Sequence, residues 1–137
     1  MVKTGVRVVI GLFFLLAGAM HFVNPQPFVE IVPRYLPVPL LLVYLSGFFE
    51  MAGGAGLFLP RLRRLAAFGL MALLVAVLPA NIFMLTDHPF LAGQRVPEWM
   101  LWLRLPLQGV LMTLIWWSSC GGASPKVAKT NPGNCVP

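Results

Sequence analysis

Four runs of about 20 largely apolar residues, each long enough to cross a hydrocarbon core of about 30 Å as a helix, fix most of what this chain can fold into. They extend from about Val6 to Val23, Pro39 to Leu59, Leu65 to Leu85 and Trp99 to Trp117. Inside lipid a backbone must satisfy its own hydrogen bonds, so such runs are helices. Between the second and third run stands only Pro60-Arg61-Leu62-Arg63-Arg64, which leaves room for a hairpin turn and makes those two helices antiparallel neighbours. The expected fold is all-α, a four-transmembrane-helix bundle over residues 1–119.

Charge supports an even number of crossings. The chain is 58% hydrophobic and 10% charged, against about 25% charged in a soluble globular domain. The positive-inside rule counts Lys and Arg close to helix ends. In a four-pass arrangement Lys3, Arg7, Arg61, Arg63, Arg64, Lys126 and Lys129 all fall on one side, and Arg34 and Arg95 on the other. Both termini are therefore expected in the cytoplasm of a multi-pass plasma (inner) membrane protein. The net charge of +6 reads as topology, because no basic stripe with interleaved aromatics marks a nucleic-acid partner. Trp99 and Trp102 at one end of the last run, with Trp116 and Trp117 at the other, have the placement of interfacial belts.

Lys3, Arg7 and the segment Ala17-Gly18-Ala19 would also suit a cleavable signal peptide. The apolar run continues unbroken through Met20, Phe22 and Val23, and a retained helix is the simpler expectation. The outer loop from Asn24 to Val38 carries Pro25, Pro27, Pro33 and Pro37 around the amphipathic stretch Phe28-Val29-Glu30-Ile31-Val32, which is expected to lie on the membrane surface. Residues 120–137, rich in Gly, Pro and Lys, are expected to form a disordered cytoplasmic tail. Cys120 and Cys135 form no Cys-x-x-Cys pair, so neither a thiol redox motif nor a zinc site is written, and a reducing compartment is expected.

An ionisable group inside a membrane costs a few kcal/mol and calls for a partner or a purpose. Glu50 lies near the middle of the second helix, Arg104 several residues into the fourth, Asn81 and Gln108 on the third and fourth, and His21 where the first reaches the outer surface. A rise of about 1.5 Å per residue puts all five between the midplane and the outer boundary, within reach of one cavity. Arg104 and Gln108, four apart, share a helix face. Ser46, Gly47, Gly53 and Gly54 surround Glu50, and small residues let helices approach, so Glu50 points into the bundle. Pro79 removes one helical hydrogen bond just before Asn81 and frees a carbonyl toward the same region.

Each of these residues has a structural and a functional meaning. Glu50 and Arg104 form a register-fixing ion pair or a catalytic one. Asn81 and Gln108 are interhelical glue or ligand contacts, and His21 is a wetted interfacial residue or part of a site. His21 and His88 alone, without a second motif, do not specify a haem. In the functional reading His21, Glu50, Asn81, Arg104 and Gln108 form an outer-leaflet polar pocket that binds a quinone, through its carbonyl-bearing headgroup, or a lipid-like small molecule entering from the lipid, in an integral membrane subunit of a redox-linked complex. No metal-ligand cluster, phosphate loop or serine nucleophile is written, and a quinone is the one cofactor this set suits.

Several blocks resemble the DoxX and DoxX-like small membrane proteins: Ala17-Gly18-Ala19-Met20-His21-Phe22 with Pro25 and Phe28, Leu36-Pro37 through Val43-Tyr44-Leu45-Ser46-Gly47 to Glu50, Gly56-Leu57-Phe58-Leu59-Pro60-Arg61, Arg64-Leu65-Ala66-Ala67, Pro79-Ala80-Asn81 and Arg104-Leu105-Pro106-Leu107-Gln108. The resemblance implies a four-helix bundle with polar positions at His21, Glu50, Asn81 and Arg104. It also implies an accessory subunit of a quinone-linked oxidoreductase or an oxidative-stress complex, after the thiosulfate:quinone oxidoreductase subunit that names the family. The alternative function is a non-enzymatic assembly or structural partner of another membrane protein, or of a second copy of this chain.

Overall fold

A computed structural model describes residues 1–87, 90–91, 94–95 and 97–120. The chain runs through α1 (Val2–Val23), a single turn α2 (Gln26–Val29), α3 (Pro39–Phe58), α4 (Arg63–Asp87), a hairpin of β1 (Phe90–Leu91) paired antiparallel with β2 (Gln94–Arg95), and α5 (Glu98–Ser119). The fold is helical, and four of the helices are long and apolar enough to cross a membrane. The lone hairpin joins α4 to α5. Residues 121–137, where the tail and Lys126, Lys129 and Cys135 fall, lie outside the described residues, as does His88.

The long helices form a ring in which α1 packs on α3, α3 on α4, α4 on α5, and α5 returns to α1 along the least extensive of these seams. The register shows that neighbours run antiparallel. Gly11 faces Gly54 and Gly18 faces Gly47 across α1 and α3, while Gly53 meets Leu70 and Gly56 meets Ala66 across α3 and α4. The glycines around Glu50 thus divide between two neighbours, Gly47 and Gly54 toward α1 and Gly53 toward α4. Without side chains the α1 and α3 backbones come into direct contact, and helices in lipid gain most of their mutual attraction this way.

At the basic end, polar residues of α1 find partners on the last turn of α5. Arg7 Nη2 donates to the Ser118 carbonyl at 2.8 Å, satisfying one of the carbonyls that the last turn of α5 leaves open. Lys3 Nζ stands 5.3 Å from the Trp117 ring centroid, a cation over an aromatic face. Arg61, Arg63 and Arg64 join Lys3 and Arg7 at this end of the ring, and Arg34 and Arg95 occupy the opposite end.

The basic half of the bundle centres on an apolar core of Ile10, Phe14, Leu57, Ala67, Leu70 and Ile115. The other half is roofed by the segment between α1 and α3. That segment does not lie out on a membrane surface as its amphipathic sequence suggests. Ile31 packs with Met84 and Leu101, and Pro33 is fully buried. Prolines at 25, 27, 33 and 37 restrict the backbone, which lowers the entropy lost in folding it down. The chain then enters α3 through Val38, whose φ of 50° is rare for a β-branched residue, with Pro39 pre-set for the first helical turn.

Candidate functional site

Beneath this roof lies a cavity of about 460 Å³. It draws its walls from the α1 residues up to His21, the first half of α3, the second half of α4 and the first half of α5, with Phe28 to Leu36 above. All five residues singled out by the sequence, His21, Glu50, Asn81, Arg104 and Gln108, stand on its lining. Most of the remaining lining is aliphatic or aromatic, the usual makeup of a site for a small, largely apolar molecule.

His21 is not a wetted interfacial residue. Its side chain is 9% exposed, its ring stacks under Phe28 with centroids 3.9 Å apart, and its Cβ lies against the bare backbone of Gly47. The Nδ1 atom sits 2.8 Å from the Ala17 carbonyl. A carbonyl only accepts, so this contact places the proton on Nδ1 and leaves Nε2 as an acceptor in the neutral ring. Phe28 is the site residue that sequence reasoning undervalued. Its signal was an aromatic held between prolines close after a membrane helix. Phe28→Ala should uncover the imidazole, and the rate of His21 acylation by diethyl pyrocarbonate, followed by peptide mapping, is expected to rise several-fold with the bundle still folded.

Glu50 and Arg104 do not form the ion pair their sequence positions suggest. Among the described residues, the ion-pair contact of Glu50 is with His21, at 3.8 Å from Oε2 to Nδ1, too long for a hydrogen bond. Glu50 Oε2 is buried and has no hydrogen-bond partner. Arg104 reaches the other way, and its Nη1 donates to the Met84 thioether at 3.1 Å, a weak acceptor for a charged group. Helix geometry explains the miss. Glu50 belongs to α3 and Arg104 to α5, which stand across the ring with α1 and α4 between them.

The two amides do meet. Asn81 Nδ2 donates to Gln108 Oε1 at 2.7 Å, and Gln108 Nε2 donates to the Leu74 carbonyl at 2.5 Å. Leu74 lies one residue before Val75, the residue whose helical partner is replaced by Pro79. The proline-interrupted stretch of α4 is therefore tied to α5, which carries its own Pro106 two residues before Gln108. This is the interhelical glue of the structural reading, and on the cavity wall it leaves Glu50 Oε2 without a hydrogen-bond partner and Arg104 with the Met84 thioether as an acceptor. Among the described residues, no three His, Cys, Asp or Glu side chains gather as metal ligands.

Residues 10–119 match the family described as a domain of unknown function, DUF8561. No curated protein and no solved structure matches the chain. The family match overturns the DoxX resemblance, and the quinone-linked subunit role loses the support it drew from that resemblance. The blocks that carried it are mostly Gly, Ala, Leu, Phe and Pro, residues that close-packed helices in lipid draw on repeatedly, so short matches among them do not establish kinship. The chain belongs to the DUF8561 family.

Proposed function

We propose that this protein is a multi-pass protein of the plasma (inner) membrane, its basic end in the cytoplasm, that binds an amphipathic, lipid-soluble molecule in the cavity under the roof. The observation that carries this reading is the buried, unpartnered Glu50 Oε2 on the cavity wall. A buried polar atom without a partner costs about 1–3 kcal/mol, and a protein holds such an atom in place when something else completes it. Glu50 and the His21 Nε2 call for a donor, such as a hydroxyl, while Arg104, offered only a thioether, calls for an oxygen acceptor. A head with a hydroxyl on one side of a small ring and a second oxygen across from it, as in a quinol, satisfies both. The mixed basic and acidic wall also suits a hydroxylated lipid headgroup.

Glu50→Gln keeps the shape of the side chain and removes its charge. Native mass spectrometry of gently extracted wild-type protein is expected to show a bound quinone or lipid that the variant loses. A charge-assisted hydrogen bond contributes about 1.5–3 kcal/mol, so affinity should fall roughly 10- to 100-fold. Melting temperature should hold or rise, since the buried Glu50 Oε2 has no hydrogen-bond partner to lose. A wild-type protein that carries no small molecule, or a variant that retains it fully, would overturn the proposal, and a co-purifying protein partner in its place would favour the assembly role.

A further inference from the structure

Between α1 and α5 lies a second cavity, of about 580 Å³, lined by Gly5, Val6, Val9, Ile10, Phe13, Leu107, Leu111 and Leu114 without one polar side chain. Phe13, Leu107 and Leu111 also line the polar cavity, so the two spaces are adjacent, with these three side chains between them. At its far end the seam is closed by the Arg7 to Ser118 hydrogen bond and by Lys3 over Trp117. The helices are thus joined below and held apart in the middle.

We infer that this seam holds the hydrocarbon tail of the molecule whose head occupies the polar cavity, so that the ligand is an amphiphile with a single tail threaded between α1 and α5. The inference rests on the binding role proposed above and specifies the ligand class and its path. Adjacency to the polar cavity identifies the occupant. A separate apolar molecule would not need a place beside that cavity, whereas a head under Phe28 and the buried Pro33 has this seam, past the Phe13, Leu107 and Leu111 side chains, as an apolar way out. From Phe13 down to Gly5 the groove follows α1 for about 12 Å, enough for roughly ten carbons of an extended chain. The seam has the least extensive packing in the ring, so a tail can enter sideways from the lipid without dismantling the α1–α3 contact.

Gly5 and Val9 allow the groove to be filled without touching the head site. A Cβ at Gly5 meets nothing within 4 Å, and Val9 is 67% exposed. The experiment compares wild type with the Gly5→Leu, Val9→Trp double variant in nanodiscs of one lipid composition. Equilibrium binding is measured, without oxygen, for a methoxy-substituted benzoquinol without a tail and for its decyl-tailed counterpart. Partitioning of the probe into lipid is common to both proteins and cancels. Leu16→Trp, at a position 70% exposed and on neither cavity, controls for added bulk on α1.

The double variant is expected to bind the tailed probe about tenfold more weakly, the equivalent of about two buried methylenes, while binding the tail-free probe as wild type does. The Leu16→Trp control should bind both like wild type. If the tail-free probe binds and the tailed probe loses nothing in the double variant, the tail path is wrong and the head site stands. If wild type binds neither probe, the head site fails and the tail path fails with it.

Discussion

Gly18→Val and Gly54→Val are each expected to prevent assembly of a stable bundle, with most of the protein recovered as aggregate after detergent extraction. A Cβ at Gly18 would lie 2.6 Å from the Gly47 carbonyl oxygen and 2.7 Å from Met51 Cγ. At Gly54 it would lie 2.8 Å from the Gly11 carbonyl oxygen and 3.2 Å from Leu15 N. These obstacles are mainly backbone, which cannot rotate aside, so α1 and α3 must separate along the most extensive contact in the fold. Forcing extra carbons into such a site costs about 1–3 kcal/mol each before the lost close contacts are counted, a large part of a total stability of about 5–15 kcal/mol. Gly11→Ala should be milder, because its two tightest contacts are with the end of the Phe58 ring, which is 40% exposed and can swing away, and the Gly54 carbonyl oxygen stands further off at 3.1 Å. Gly69→Ala and Gly109→Ala meet nothing within 4 Å and should leave the melting temperature within a few degrees of wild type. Thermal melts and size-exclusion profiles of the five variants give the test, and equal behaviour at Gly18 and Gly109 would contradict the close α1–α3 contact.

Length and hydropathy made the helices legible, since lipid leaves a backbone few alternatives. The polar cluster was legible for the same reason, because Glu50, Arg104, Asn81, Gln108 and His21 stand out in apolar surroundings and share one depth. Depth along a helix follows from counting, but the angle around the ring does not. That is why the sequence suggested Glu50 with Arg104, which stand on helices across the ring, and could not single out Asn81 with Gln108, on adjacent ones. The roof was misjudged for a related reason. An apolar stripe in a proline-rich loop has two places to go, a lipid surface or the mouth of its own bundle, and composition is the same for both. Contacts of Ile31 with Met84 and Leu101, some 50 to 70 residues away, decide the matter, and no local pattern encodes them.

Two double-mutant cycles separate the glue from the site. For Asn81→Leu and Gln108→Leu, the structure puts a shared hydrogen bond between the two positions, so the destabilisation of the pair should be smaller than the sum of the singles by about 1 kcal/mol, the scale measured for hydrogen bonds between membrane helices. Gln108→Leu should be the worse single change, since it also strips the donor from the Leu74 carbonyl beside the proline-interrupted turn of α4. For Glu50→Leu and Arg104→Leu, with no ion pair between them, the effects on thermal stability should add to within about 0.5 kcal/mol. Glu50→Leu alone should not lower the melting temperature, because it removes an acceptor with an unpartnered oxygen from an apolar wall. Strong coupling between Glu50 and Arg104 in the ligand-free protein would mean that the two groups close on each other in the membrane, and the polar cavity would then be an ion pair already complete, with no unmet hydrogen bond left to recruit a ligand.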